Sequence, residues 1–172
     1  MNLWLRLIYF LFAVRFRNPL KALTPCITPF RCWPADLDTL LHMNNSRYLA
    51  IMDIARIDLI TRCGLWKKLR TRGHYPIVEA QTIRYRKSIK LFQHFTIVTH
   101  IHGWDEKSFY LTQTFMRGNE IVAEAMLKGR FLKSTRGTVP PADIMEMAGY
   151  PRLSPSIPKP IAAWAKTLVP KA

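Results

Sequence analysis

The sequence predicts an α+β domain in which an antiparallel β-sheet wraps around one central α-helix. Three observations predict it. From Tyr48 to Ile60, apolar side chains cover most of the circumference of a helical pattern, and a helix that apolar is normally enclosed. From Tyr75 the apolar period changes to two and holds through four runs rich in aromatic and β-branched residues. The connections between those runs are short, so neighbours are expected to pair as antiparallel hairpins. A sheet curled around a single helix satisfies both kinds of element at once.

The elements follow in order. Leu3 to Val14 is apolar and rich in aromatics, interrupted by Arg6 and followed by Arg15, Arg17 and Lys21. Twelve helical residues extend ~18 Å, short of a hydrocarbon core of ~30 Å. The charge does not precede the apolar run and no small residues end it, so the layout is not that of a secretory signal. It suits an interfacial helix within residues 1–17, its aromatics among acyl chains and its arginines at anionic headgroups. A helix packed on the domain or between copies is the alternative. Pro19, Pro25 and Pro29 break the chain ahead of a first strand at Phe30–Trp33, and Pro34 to Met43 reads as a loop.

Asn44 or Asn45 caps the central helix, which stops before Gly64 and leaves mainly Arg47, Asp53, Arg56, Asp58 and Arg62 polar. A short basic helix from Leu65 to Arg72 ends at Gly73. Strands are expected over 77–86, 92–102, 109–116 and 121–132, with turn signals at Gly103-Trp104-Asp105-Glu106 and Gly118-Asn119. Seven of the twelve prolines fall between Pro140 and Pro170, with helical turns at 142–147 and 161–168. The chain therefore divides into an apolar and basic segment (1–24), the domain (25–135) and a Pro-rich extension (136–172). That extension either wraps the domain or stays loose. The second face of the sheet needs cover, which predicts a dimer or higher oligomer.

Composition narrows the function classes. A chain of 172 residues, 49% hydrophobic and 22% charged, is one folded domain rather than a disordered segment. Cys26, Cys32 and Cys63 make neither a disulfide framework nor a CxxC pair, and they read as reduced thiols in a cytosolic or cytosol-facing protein. No metal site and no cofactor is expected. With 26 Lys+Arg against 11 Asp+Glu, the net charge is +15. The excess concentrates between Arg62 and Lys90, where nine basic residues face Glu79 alone. A field of that sign recruits a phosphorylated ligand, an anionic membrane or nucleic acid, although for any single Lys a solvated surface is the simpler account. No recognition motif supports nucleic acid.

The chemistry-bearing segment is Asp36-Leu37-Asp38-Thr39-Leu40-Leu41-His42-Met43-Asn44-Asn45, between a strand and the N-terminus of the enclosed helix. Unpaired N–H groups at such a terminus stabilise a carbonyl oxygen that is gathering negative charge. A loop carboxylate beside it can attack that carbonyl or deprotonate a water. A loop or capping role for Asp38 is the alternative on spacing alone.

Asp36-x-Asp38, His42-Met43-Asn44-Asn45-x-x-Tyr48-Leu49 and Asp53-x-x-Arg56 together resemble the 4-hydroxybenzoyl-CoA thioesterase-like branch of the hotdog superfamily. Thr61-Arg62-Cys63-Gly64 and Gly103-Trp104-Asp105 are similar to motifs of its THEM6-like subgroup, and the resemblance spans about residues 28–134. It implies a hotdog fold, a homodimer or homotetramer, and hydrolysis of acyl-CoA thioesters, with fatty or bulky acyl groups as the expected class. A non-catalytic acyl-CoA or lipid binder on the same fold is the alternative.

The resemblance places the catalytic carboxylate, nucleophile or general base, on Asp38 and the carbonyl-polarising backbone N–H near Asn45. Asp36 would hold the loop, His42 would bond to backbone, and Asn44 would cap and shape the turn. Asp53 and Arg56 read as an ion pair on the helix. Arg84, Arg86, Lys87 and Lys90 are the candidates for CoA's phosphates, although alternation puts Arg84 and Arg86 on one face and Lys87 on the other. Leu41 departs from the family, which commonly has Gly there. A narrowed site or reshaped loop, with lower activity, is therefore expected.

Overall fold

The computed structural model describes residues 3–168. Its helices are α1 (Leu3–Ala13), α2 (Asn45–Arg62), α3 (Leu65–Thr71), α4 (Pro141–Met147) and α5 (Lys159–Thr167). Its strands are β1 (Cys26–Arg31), β2 (His74–Tyr85), β3 (His94–Trp104), β4 (Phe109–Arg117), β5 (Glu120–Lys133) and β6 (Thr138–Val139). The sheet runs β1-β3-β4-β5-β2 with every neighbour antiparallel, and β6 adds to β5. It curls around α2, whose Ile51, Met52, Ile54 and Ala55 are buried in one core with Phe95, Ile97, Phe115 and Leu127. This is the hotdog arrangement.

Several expectations need correction. The first strand begins four residues before Phe30, because Cys26, Thr28 and Phe30 alternate inward and pair with β3. β2 and β3 are not a hairpin: β2 pairs with β5 at the edge opposite β1. Between them residues 86–93 cross the mouth of the sheet, where Ile89 is fully buried. The shortness of the connection predicts a hairpin, but the pairing of β2 with β5 at the far edge makes it a crossover. Gly103 and Trp104 lie in β3, and the turn is made by Asp105, whose Oδ1 accepts the N–H groups of Lys107 (2.8 Å) and Ser108 (2.7 Å).

A Cβ at position 103 would meet Ser154, Ile157 and Pro155 at 2.8–2.9 Å. The Pro-rich extension therefore packs onto the Gly103–Trp104 corner, where Trp104 N–H donates to Ser154 Oγ (2.8 Å). Asp58, assigned to the polar side of the helix, is fully buried. Its Oδ2 accepts from Thr28 Oγ1 (2.7 Å) and pairs with Arg17.

Helix α1 is docked rather than free. Arg6, Phe10 and Val14, each four residues apart, form a buried stripe, and Arg6 is 5% exposed. The expectation that its arginines meet lipid headgroups fails for Arg6 and Arg17, which turn inward onto Asp36 and Asp58. Buried carboxylates are stronger partners than solvent-screened headgroups. Arg15 and Lys21 remain exposed. The outward face carries Trp4, Leu5, Ile8, Tyr9, Phe12 and Phe16, from 58% exposed (Leu5) to 77% (Phe16). No helix among the described residues is long and apolar enough to cross a membrane.

Candidate active site

The segment from Asp36 to Asn44 folds back on itself. Asp36, 2% exposed, accepts Trp33 N–H (2.9 Å) and Arg6 Nη2 (2.6 Å) on Oδ2, while its carbonyl accepts Asn44 N–H (2.8 Å). Two residues on, Asp38 N–H donates to His42 O (2.9 Å) and Leu37 bridges to Met43. The crossover lies against this loop: Met43 N–H donates to Ile89 O (2.8 Å), and His42 pairs with Lys90 through the backbone. Asp38 Oδ1 accepts Leu40 N–H (2.9 Å) and, more loosely, His42 N–H (3.4 Å). Its Oδ2 has no hydrogen-bond partner among the described residues.

Asn44 caps α2 as the sequence suggests. Its Oδ1 accepts from Ser46 N–H (2.9 Å) and Ser46 Oγ (2.7 Å), and its carbonyl accepts Arg47 N–H (2.8 Å). Asn45 opens the helix, and its N–H has no acceptor among the described residues. The flanking amides are satisfied, whereas this one stays available at the positive end of an 18-residue helix. One short loop thus offers a carboxylate oxygen and an amide N–H that both lack partners. A carboxylate can attack a thioester carbonyl or activate water beside it, and an amide can hold the resulting oxyanion.

The other candidates separate. His42 engages through its backbone, and its imidazole has no hydrogen bond among the described residues. Arg86 pairs with Glu124 (2.6 Å) and Lys87 with Glu120, so both cations already have carboxylate partners. Arg84 and Lys90 are exposed and carry no ion pair among the described residues, and Lys90 sits beside the loop. Leu41 adopts φ +59° and is 70% exposed. Its backbone takes the left-handed conformation that favours Gly, so the departure from the family strains the loop instead of closing it. Tyr48 is buried against Phe115 and Tyr85, and burial pushes its phenol up to about 12, which leaves it neutral.

Sequence reasoning missed two features. One is Arg6; its signal was the four-residue spacing that aligns it with Phe10 and Val14. The other is an apolar cavity of about 380 Å³ between the C-terminal half of α2 and strands β2–β5. Ile57, Ile60, Ile77, Ile101, Leu111 and Phe131 line it, and Asp53 and Arg56 stand at its wall. Arg56 pairs with Asp53 and donates to Gln113 Oε1 (2.6 Å), and burial lowers the pKa of its guanidinium against the pull of Asp53. None of residues 36–45 lines this cavity. Arg56 follows Asn45 by eleven residues, or ~16 Å along the helix.

A sheet wrapped around one helix, with a carboxylate loop at that helix's N-terminus, defines the class of hotdog thioesterase-like proteins. The profile of the thioesterase-like superfamily matches residues 32–165, and the chain belongs to that superfamily. It is 37% identical to Protein THEM6 of Xenopus laevis over 133 residues, covering 77% of this chain and 63% of that protein. It is 32% identical to a probable thioesterase of Saccharomyces cerevisiae over 126 residues, covering 71% of this chain and 52% of that one. The chain thus spans about half to two thirds of the length of these relatives. Among solved structures, a gentisyl-coenzyme A thioesterase superposes with a TM-score of 0.64 at 20% identity, covering 70% of this chain and 98% of that one. A Staphylococcus aureus protein solved with CoA superposes with a TM-score of 0.66 at 16% identity, covering 90% and 100%. These structural likenesses establish the fold.

Proposed function

We propose that this protein is an acyl-CoA thioesterase that releases a fatty or bulky acid and CoA. The observation that carries the proposal is that Asp38 Oδ2 and the Asn45 N–H, both without partners among the described residues, lie seven residues apart on one braced loop. In the reaction, the thioester oxygen accepts from Asn45 N–H. The Asp38 carboxylate either adds to the carbonyl, with water later hydrolysing the anhydride, or takes a proton from the attacking water. The C–S bond breaks, and CoA leaves as a thiol after taking up a proton.

The apolar cavity supports a hydrocarbon acyl group, since its volume falls within the ~300–1,000 Å³ of ligand pockets. A chain starting at Asn45 must run along α2 to fill it, which favours long acyl groups over acetyl. Lys90, with Arg84, supports binding of CoA's phosphates. A second copy of the chain is the proposed partner. β2 is a 12-residue edge strand with Tyr75, Val78 and Tyr85 exposed, and such an edge is normally paired or covered. The outward face of α1, with Arg15 and Lys21 after it, supports peripheral attachment to an anionic membrane on the cytosolic side.

The test is a survey of acyl-CoAs of graded chain length with the free thiol detected, run on wild type and Asp38→Asn. The proposal expects hydrolysis that rises with chain length and collapses in Asp38→Asn while acyl-CoA binding persists. The strained Leu41 favours a second reading, a non-catalytic acyl-CoA binder, which expects equal binding and no thiol release from either protein. Membrane attachment is read by co-sedimentation with phosphatidylserine vesicles. Trp4→Ser with Phe12→Ser should lower the bound fraction several-fold, and unchanged partitioning removes the idea.

A further inference from the structure

We propose that Arg6 is a positioning residue of the active site. It braces the Asp38 loop through Asp36, so that the N-terminal helix is a working part of the catalytic apparatus. This rests on the hydrolase reading of Asp38 and Asn45. Arg6 is the only charged residue in α1 and is almost wholly buried. Its Nη2 donates to Asp36 Oδ2 (2.6 Å) and to Arg31 O (3.3 Å).

Asp36 stands where both sides of the loop begin. Its side chain closes the turn on Trp33, its carbonyl holds Asn44 immediately before Asn45, and Asp38 follows two residues later. A shift of Asp36 therefore moves the carboxylate and the amide together. Displacing reacting groups by ~1 Å is enough to slow catalysis ~100-fold.

Arg17 makes the matching contact at the other end of the segment. It pairs with the buried Asp58 and donates to Ile27 O, as Arg6 does to Arg31 O. The helical segment thus runs antiparallel along the free edge of β1. The eleven residues from Arg6 to Arg17 span ~16 Å, and the four from Ile27 to Arg31 span ~13 Å. Pro29 between them brings no N–H to that edge. Two arginines satisfy the edge carbonyls and two buried carboxylates at once. A membrane anchor alone needs none of these contacts, because its lipid-facing residues lie on the opposite side of the helix.

The test separates positioning from anchoring by using the acyl-CoA that wild type hydrolyses fastest in the chain-length survey, held below its micelle-forming concentration and without lipid. Trp4→Ser/Phe12→Ser should match wild type in this assay. Arg6→Met should lower kcat at least tenfold with KM within twofold, and Arg6→Lys should recover part of the loss. Because Arg6→Met leaves Asp36 buried and uncompensated, Arg6→Met/Asp36→Leu is run beside it as a folded control. Its kcat should stay low even where its thermal midpoint returns to the wild-type value.

Wild-type kcat in either Arg6→Met or the stable double variant overturns the proposal. If wild type itself hydrolyses nothing, the hydrolase reading fails separately. Hydrogen exchange then decides the brace: faster exchange of the Leu40 and Asn44 amides in Arg6→Met sustains it, and unchanged protection overturns it.

Discussion

Replacing Asn45 with proline removes its backbone N–H together with an exposed carboxamide that makes no hydrogen bond among the described residues. Asn45 is the first residue of α2, where proline's fixed φ is already helical and the missing donor is one the helix does not use. Proline also demands an extended residue before it, and Asn44 sits at φ −62°, ψ 140°. The Asn44 side chain still caps Ser46. Stability should hold or rise by about 0.4–1 kcal/mol, since the unfolded chain loses freedom.

Catalysis should fare differently. Losing one oxyanion donor typically costs about 2.7–4 kcal/mol of barrier, or roughly 100- to 1,000-fold in kcat. The assay is thiol release at saturating acyl-CoA, paired with urea unfolding of the same samples. Folded Asn45→Pro protein with kcat within threefold of wild type would falsify the assignment of this amide.

Other outcomes follow from the same contacts. Leu41→Gly should gain about 0.5–1 kcal/mol, the relief of left-handed strain less the entropy of Gly; urea midpoints measure it, and a loss of stability refutes the strain. Glu79, at the bulge in β2, is raised by partial burial but brought down to about 2 by hydrogen bonds from Arg130, Lys128 and Ser108. Its folded pKa lies below its unfolded one, so its contribution is complete above the usual carboxylate range and fades as pH falls toward 2. Glu79→Gln should flatten that acid limb of the stability profile. Burial, then the neighbouring Asp58 and Asp36, pushes the Cys26 and Cys32 thiols up to about 11. Thiol reagents at pH 8 should label both far more slowly in native than in urea-unfolded protein, and equal rates would contradict the packing.

The enclosed helix, its Asn44 cap, its end at Gly64 and the period-two strands were legible because each follows from local chemistry: side-chain periodicity, a capping amide, a glycine that tolerates positive φ. The Asp38 loop was legible for the same reason, since its residues are contiguous. The β2–β3 connection was not. Its length permits a hairpin, and only the long-range pairing of β2 with β5 makes it a crossover.

Arg6 and Asp58 were misread for one shared reason. A charged residue in a pattern reads as surface, and thirty or more residues separate Arg6 from Asp36 and Arg17 from Asp58. The chain alone thus determined which segments are helix and strand and that a loop bearing Asp36 and Asp38 leads into the enclosed helix, because those depend on near neighbours. Tertiary structure alone decided that Arg86 and Lys87 are paired, that a cavity opens along α2, and that the N-terminal helix is riveted to the loop. These depend on which distant side chains folding brings within a few ångströms, and for the buried Arg6 and Asp36 desolvation makes each charge keep its partner.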